Sequence, residues 1–156
     1  MIMHSKDSIK NLLKQNLIKK CPVDRNAISN LLKRAHKDID TSRRNIKFDI
    51  ECAFNYSYNA MLHCGLALMN SEGYRPDIKG KHATIIRFVS AVMGDKYKII
   101  INTYDYMRRK RHHFLYEPGE PCSEKEAYDA ISTAKKFLNE VKYLINKKYP
   151  DLELDS

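Results

Sequence analysis

From Cys52 to Ser71 the chain runs without a single Asp, Glu, Lys or Arg. An uncharged stretch of that length is either a membrane span or a helix surrounded by protein. Asn55, Ser57, Asn59, His63, Asn70 and Ser71 interrupt it, and side chains of this kind find hydrogen-bond partners inside a helical bundle more readily than in hydrocarbon. The expectation is a central core helix, from Phe48 to Asn70, with the other elements arranged around it. Met1 to Lys20 alternates polar and apolar residues, so no signal peptide is expected and the protein is read as soluble and cytoplasmic.

Elsewhere apolar residues recur three and four positions apart, the period of a helix face. Ile9, Leu12, Leu13 and Leu17 mark a first helix over 5–20, which Cys21-Pro22-Val23-Asp24 breaks. Asp24 is placed to cap a second helix that reaches about Asn45 through Ile28, Leu31, Leu32, Ala35 and Ile39. Gly73 is positioned to stop the central helix, and Gly94 to close a short one from Lys81 to Met93. Tyr97, Ile100, Ile101, Tyr104 and Met107 define a fifth helix over about 97–115, which Pro118 obliges to finish near Glu117. Ser123 and Glu126 form a capping box ahead of a long stripe from Ala127 to Ile145. No segment keeps a β alternation. The predicted architecture is all-α: an up-and-down helical bundle of about four long helices plus short helices. Residues 1–23 are expected to be an N-terminal helical extension, and 24–149 the bundle itself.

The 156 residues suffice for one domain with a substantial core. Lys and Arg number 28 against 19 Asp and Glu, a net charge of +9 that favours a polyanionic partner such as nucleic acid or an acidic protein. Cys21, Cys52, Cys64 and Cys122 include no C-x-x-C pair. Neither a zinc site nor a disulfide framework is therefore expected.

The charge is concentrated in Arg108-Arg109-Lys110-Arg111-His112-His113, followed by Phe114-Leu115-Tyr116. Positions 97, 100, 101, 104, 108, 111 and 115 share one helical stripe. Arg108 and Arg111 therefore continue an apolar face, and two partly buried guanidiniums need anionic or hydrogen-bonding partners. Those partners are carboxylates of the bundle (Asp49 and Glu51 are candidates), a second subunit, or phosphate groups. A cationic helix end also gains ~0.3–1 kcal/mol per charge from the macrodipole without any function. Asn55, Asn59 and His63 form a polar stripe expected to satisfy itself or neighbouring backbone. His82 reads as a cap or packing residue, and His36 as solvated. Tyr56, Tyr58, Tyr104 and Tyr106 read as core and interface aromatics. Lys33, Arg34, Lys37, Arg43, Arg44 and Lys47 form a solvated face that also suits a phosphate backbone.

The run resembles the signature of the HEPN superfamily, an Arg and a His closing a six-residue R-x-x-x-x-H motif at the end of a late helix. Arg108 to His113 matches that strict form. Arg111 to Tyr116 matches a form closed by Tyr, with His112 where the family often has Asn. The segment Phe54 to Leu68 is similar to the family's central helix, and Gly73 with Gly80-Lys81-His82 ahead of Phe88 resembles its loop and following helix. The likeness spans roughly residues 24 to 146.

The resemblance implies a metal-independent endoribonuclease with no cofactor, acting as a homodimer whose motifs face one another across a composite cleft. It also implies a place in a toxin–antitoxin or defence system, neutralised by a partner such as a nucleotidyltransferase-like antitoxin. His113 or His112 would take the proton of an RNA 2′-hydroxyl. Arg108 and Arg111 would hold the scissile phosphate, and Tyr116 would orient phosphate or base, or act as acid. The alternatives are a non-catalytic nucleotide- or RNA-binding module of the same fold, or a helical protein-interaction domain. Both motif registers stay open, because residues five apart on an unbroken helix point ~140° from each other.

Overall fold

The uncharged segment is the hub of the protein. The computed structural model describes residues 2–78, 81–117 and 122–154. Helix α1 covers Ile2–Lys14, α2 Arg25–Asn45, α3 Ile50–Ser71, α4 Lys81–Met93, α5 Lys98–Tyr116 and α6 Glu124–Lys148. Helix α3 packs chiefly on α2 and α6, and also on α4 and α5. Burial on so many sides is what an uncharged sequence permits, and Phe54, Tyr58, Met61, Cys64 and Leu68 are all at or below 1% exposure. Among the described residues no helix is long and apolar enough to cross a membrane. The hub helix starts later than its apolar content suggested. Asp49 accepts from the Cys52 N–H at 2.9 Å as its cap, leaving Phe48 outside and exposed.

Polar groups within this core pair between helices. The Ser42 and Ser57 hydroxyls lie 2.8 Å apart across the α2–α3 contact. His63 does not satisfy itself along its own stripe with Asn55 and Asn59, as its spacing suggested. It reaches across to Asp38 of α2, Nδ1 to Oδ2 2.7 Å. Asn55 Oδ1 has no hydrogen-bond partner among the described residues.

Gly65 sets how closely α3 and α4 approach. A Cβ placed there would lie 2.6 Å from Ile85 Cγ2 and 3.6 Å from the Tyr104 hydroxyl, so the contact requires the missing side chain.

The first helix is shorter than its apolar spacing predicted. It ends at Lys14, and Asn16 takes a left-handed conformation (φ 58°) that Asn tolerates better than most residues. Leu17 and Ile18 therefore leave the helical face. Ile18–Lys20 forms strand β1, antiparallel to β2 (Tyr74–Pro76), with Ile18 opposite Pro76 and Lys20 opposite Tyr74. The ribbon extends at both ends, through Cys21 N–H to Gly73 O and Asp77 N–H to Leu17 O, each 2.9 Å. Gly73 sits at φ 84°, a value suited to glycine at a helix stop. Helix α1 packs on α4.

Helix α6 begins with the predicted capping box: Ser123 Oγ accepts from Glu126 N–H, and Glu126 Oε1 accepts from Ser123 N–H. Its Ala127, Ala134, Phe137, Val141 and Ile145 close the core against α3. Pro118 and Gly80 lie outside the described residues. The protein is an all-α bundle with one small β ribbon.

Candidate functional site

Helix α5 carries the cationic run. It is unbroken from Lys98 to Tyr116, and its last turn closes with Glu117 N–H donating to His113 O at 2.7 Å. Ile101, Tyr104 and Met107 are buried along its inner face. Arg108 and Arg111 follow on that face and are half-buried, as the stripe predicted.

The carboxylate that meets the arginines is Asp105, one turn earlier on the same helix. Arg108 Nε donates to Asp105 Oδ1 at 3.0 Å, and Arg109 Nε lies 3.3 Å from Oδ2. Asp49 is occupied as the α3 cap and Glu51 is exposed on the first turn of α3. The expectation that they partner the arginines is therefore corrected.

Arg111 turns inward onto α3. Its guanidinium carbon lies 5.4 Å from the ring centroid of Tyr58, within cation–π range. Tyr58 is fully buried, and its hydroxyl is 2.6 Å from Nδ1 of His82 on the first turn of α4. The two rings are within 9° of parallel. Burial raises the Tyr58 hydroxyl above its ordinary range, against the opposing pull of Arg111 and Arg108. His82 is lowered from 6.5, first by burial and then by Arg111, Lys81 and Arg108. A protonated phenol beside a neutral imidazole is best satisfied when Tyr58 donates to Nδ1 and the ring proton sits on Nε2. His82 is thus a fixed hydrogen-bonding group within the field of both motif arginines, beyond the cap or packing role its position suggested. Behind it, Tyr104 packs 5.9 Å from Tyr58 and 5.4 Å from Phe137 between centroids. Its hydroxyl has no partner among the described residues.

The remaining motif residues lie on the last turns of α5. His112 and Tyr116 are exposed with ring centroids 4.6 Å apart. Four-residue spacing puts Arg108, His112 and Tyr116 on one ridge. His113 is exposed on another side, its Nδ1 2.8 Å from Oε2 of Glu117. Because α5 does not break before Tyr116, Arg108 and His113 diverge by ~140° around the axis, and Arg111 and Tyr116 do the same. The structure therefore gathers Arg108 and Arg111 with Tyr58 and His82, and leaves His112, His113 and Tyr116 facing outward. Of the four tyrosines expected as core and interface aromatics, Tyr58 and Tyr104 are in the core, and Tyr56 and Tyr106 are at the surface, where Tyr106 donates to Glu126 at 2.7 Å.

Sequence reasoning missed Tyr58 and His82 as site residues. They are 24 positions apart, and only the packing of α3 on α4 joins them. The one available signal was the Gly80-Lys81-His82 entry into a helix that follows the hub.

A helical bundle whose late helix ends in a cluster of half-buried arginines and exposed imidazoles defines the class. A family model for the HEPN domain matches residues 28–144. That match runs from α2 to near the end of α6, most of the chain, and the chain belongs to the HEPN domain family, which includes ribonucleases and nucleotide-binding modules. Among curated proteins none matches the chain significantly. Helix α1 and strand β1 lie outside the matched region.

Proposed function

We propose that this protein is a metal-independent endoribonuclease, the toxin of a toxin–antitoxin or defence system, working in the cytoplasm at a site completed by a second copy. One observation carries the reading. Arg108 and Arg111 are half-buried beside the Tyr58–His82 pair, while His112, His113 and Tyr116 project from the same helix end. Bidentate cations held in place by a carboxylate and an aromatic ring suit a scissile phosphate and the added charge of its transition state. The divergence of Arg108 from His113 within one chain favours a composite cleft, in which the imidazole of one copy serves the arginines of the other.

In this reaction His113 or His112 removes the proton of an RNA 2′-hydroxyl. The oxygen attacks phosphorus, the bond to the 5′-oxygen breaks, and that oxygen leaves with a proton. The products are a 2′,3′-cyclic phosphate and a 5′-hydroxyl. Tyr116 orients the phosphate or base, or supplies the leaving proton. A small nucleotidyltransferase-like antitoxin would neutralise the enzyme by covering the helix end.

A second reading, a nucleotide- or RNA-binding module without catalysis, is favoured by the engagement of Arg108 with Asp105 and of His113 with Glu117. Incubation of the purified protein with end-labelled RNA in EDTA separates the two. The enzyme yields cyclic-phosphate ends, and a loss of cutting in both Arg111→Ala and His113→Ala, with the fold intact, supports it. RNA that is bound but left whole favours the binding module. Neither cutting nor binding, with the dimer lost on Arg108→Ala, points to an interaction domain.

A further inference from the structure

Beside Arg108 lies an open groove of about 700 Å³ between α1, α4 and α5. That size falls within the ~300–1,000 Å³ range of small-ligand sites. One wall comes from Ser8 and Asn11 of α1, a helix outside the family match. Asn102 of α5 and Arg87 of α4 contribute further polar groups, and Asp105 and Arg108 of α5 also line the groove. Half-buried Ala83 and Ala91 of α4 contribute apolar surface.

The chemistry of this lining selects among ligands. Its cations Arg87 and Arg108 are matched by Asp95 and Asp105, so it is not a strip for consecutive phosphates. No aromatic ring is among its described lining residues, which removes the stacking by which sequence-tolerant sites hold bases. What remains is apolar surface with two neutral amides, Asn11 and Asn102, and two hydroxyls, Ser8 and Ser90, groups that read the edges of a base. An asparagine amide presents adjacent donor and acceptor, the complement of N7 and the N6 amine of adenine.

We infer that this groove is a nucleoside subsite, with preference for adenine, for the nucleotide next to the phosphate held by Arg108. The inference rests on the ribonuclease reading for its placement and deepens it: α1 gives this chain a base selectivity that the motif itself does not contain. The phosphate end is Arg108, the base-reading groups are Asn11 and Asn102, and the apolar partners are Ala83 and Ala91.

Fluorescence anisotropy with the full chain tests it. The probes are labelled single-stranded RNAs carrying a 2′-deoxy sugar at the cleavage nucleotide, which removes the attacking hydroxyl. The neighbouring base is varied through A, G, C and U on either side. The wild type is expected to bind the adenine probe about tenfold more tightly than the others, within the range of one bidentate contact. Asn11→Ala and Asn102→Ala should bring the four probes to within about twofold. Asn102→Asp, of nearly the same shape, replaces a donor with an acceptor and should shift preference toward cytosine, whose N4 amine donates. Equal binding of all four bases by the wild type overturns the inference, as does an unchanged preference in the variants. A change of oligomeric state in the Asn variants also overturns it, assigning the groove to contact between copies. The all-ribose probe is assayed in parallel: uncut RNA with an adenine preference sinks the nuclease and keeps the subsite, whereas cut RNA with no preference does the reverse.

Discussion

The Tyr58 hydroxyl meets Nδ1 of His82 at 2.6 Å while the Arg111 guanidinium lies against the same phenol ring. Helices α3, α4 and α5 thus converge on one buried ring. The contact gives the cationic helix end a fixed floor, so that Arg111 is held by packing and electrostatics together. Loss of any one member is expected to loosen the other two.

The first consequence is a pH dependence of stability. His82 has its folded-state pKa lowered from 6.5 by burial and by the cations of α4 and α5. The unfolded chain therefore takes up this proton first as pH falls. The stabilising contribution is present above about pH 6.5, declines as pH drops toward the folded value, and is lost below it. Thermal melts at about pH 7.5 and about pH 5.5 should show a larger fall for the wild type than for His82→Gln. Parallel losses in the two proteins would contradict this account.

Replacement of Arg111 probes both its chemical and its packing role. Arg111→Ala should lower RNA cleavage by about 100-fold or more, the scale seen when one donor to a developing charge is removed. Arg111→Lys should recover little, since an ammonium keeps the charge but loses the planar face on Tyr58 and the bidentate fork. Single-turnover cleavage rates with saturating protein measure both.

Glu117 is expected to position His113. The pair is exposed, with His113 Nδ1 2.8 Å from the carboxylate, an arrangement that leaves Nε2 for a substrate proton. Glu117→Gln should lower the cleavage rate by about tenfold, far below the ~10⁴ lost when a buried triad carboxylate is neutralised. Melting temperature should not move, because an exposed pair of this kind contributes little to the fold. An unchanged rate would transfer the base role to His112, on the ridge with Arg108.

Much of the architecture was legible because its signals are local. The capping box at Ser123 and the stop at Gly94 act over a few residues, and the structure places α6 and α4 where they indicate. The half-burial of Arg108 and Arg111 followed from helical period alone. The β ribbon had no such signal: its strands are three residues long, and Leu17 and Ile18 continue the apolar spacing of α1 until Asn16 turns the chain. The pairing of His63 with Asp38, and of His82 with Tyr58, depends on which helices touch, and a single sequence does not display that.

The α2–α3 seam offers a stability test away from the site. Asp38 and His63 are both largely buried there. Asp38→Ala removes one partner and strands the other, which should cost about 1–3 kcal/mol. Urea unfolding of Asp38→Ala against His63→Ala and the double variant measures the coupling. Additive losses would show that the two side chains do not act as a pair.

Gly65 shares a face of α3 with Tyr58 two turns earlier, and Ile85, which it touches, shares a face of α4 with His82 one turn earlier. The reach of the phenol to the imidazole is thus set by an absent methyl group. A relative that drifted to alanine here would keep every letter of its arginine–histidine motif and still have its helices pushed apart beneath it. Surveys that sort such chains into active and silent by the motif alone would miscount them; position 65 is the letter to read beside it.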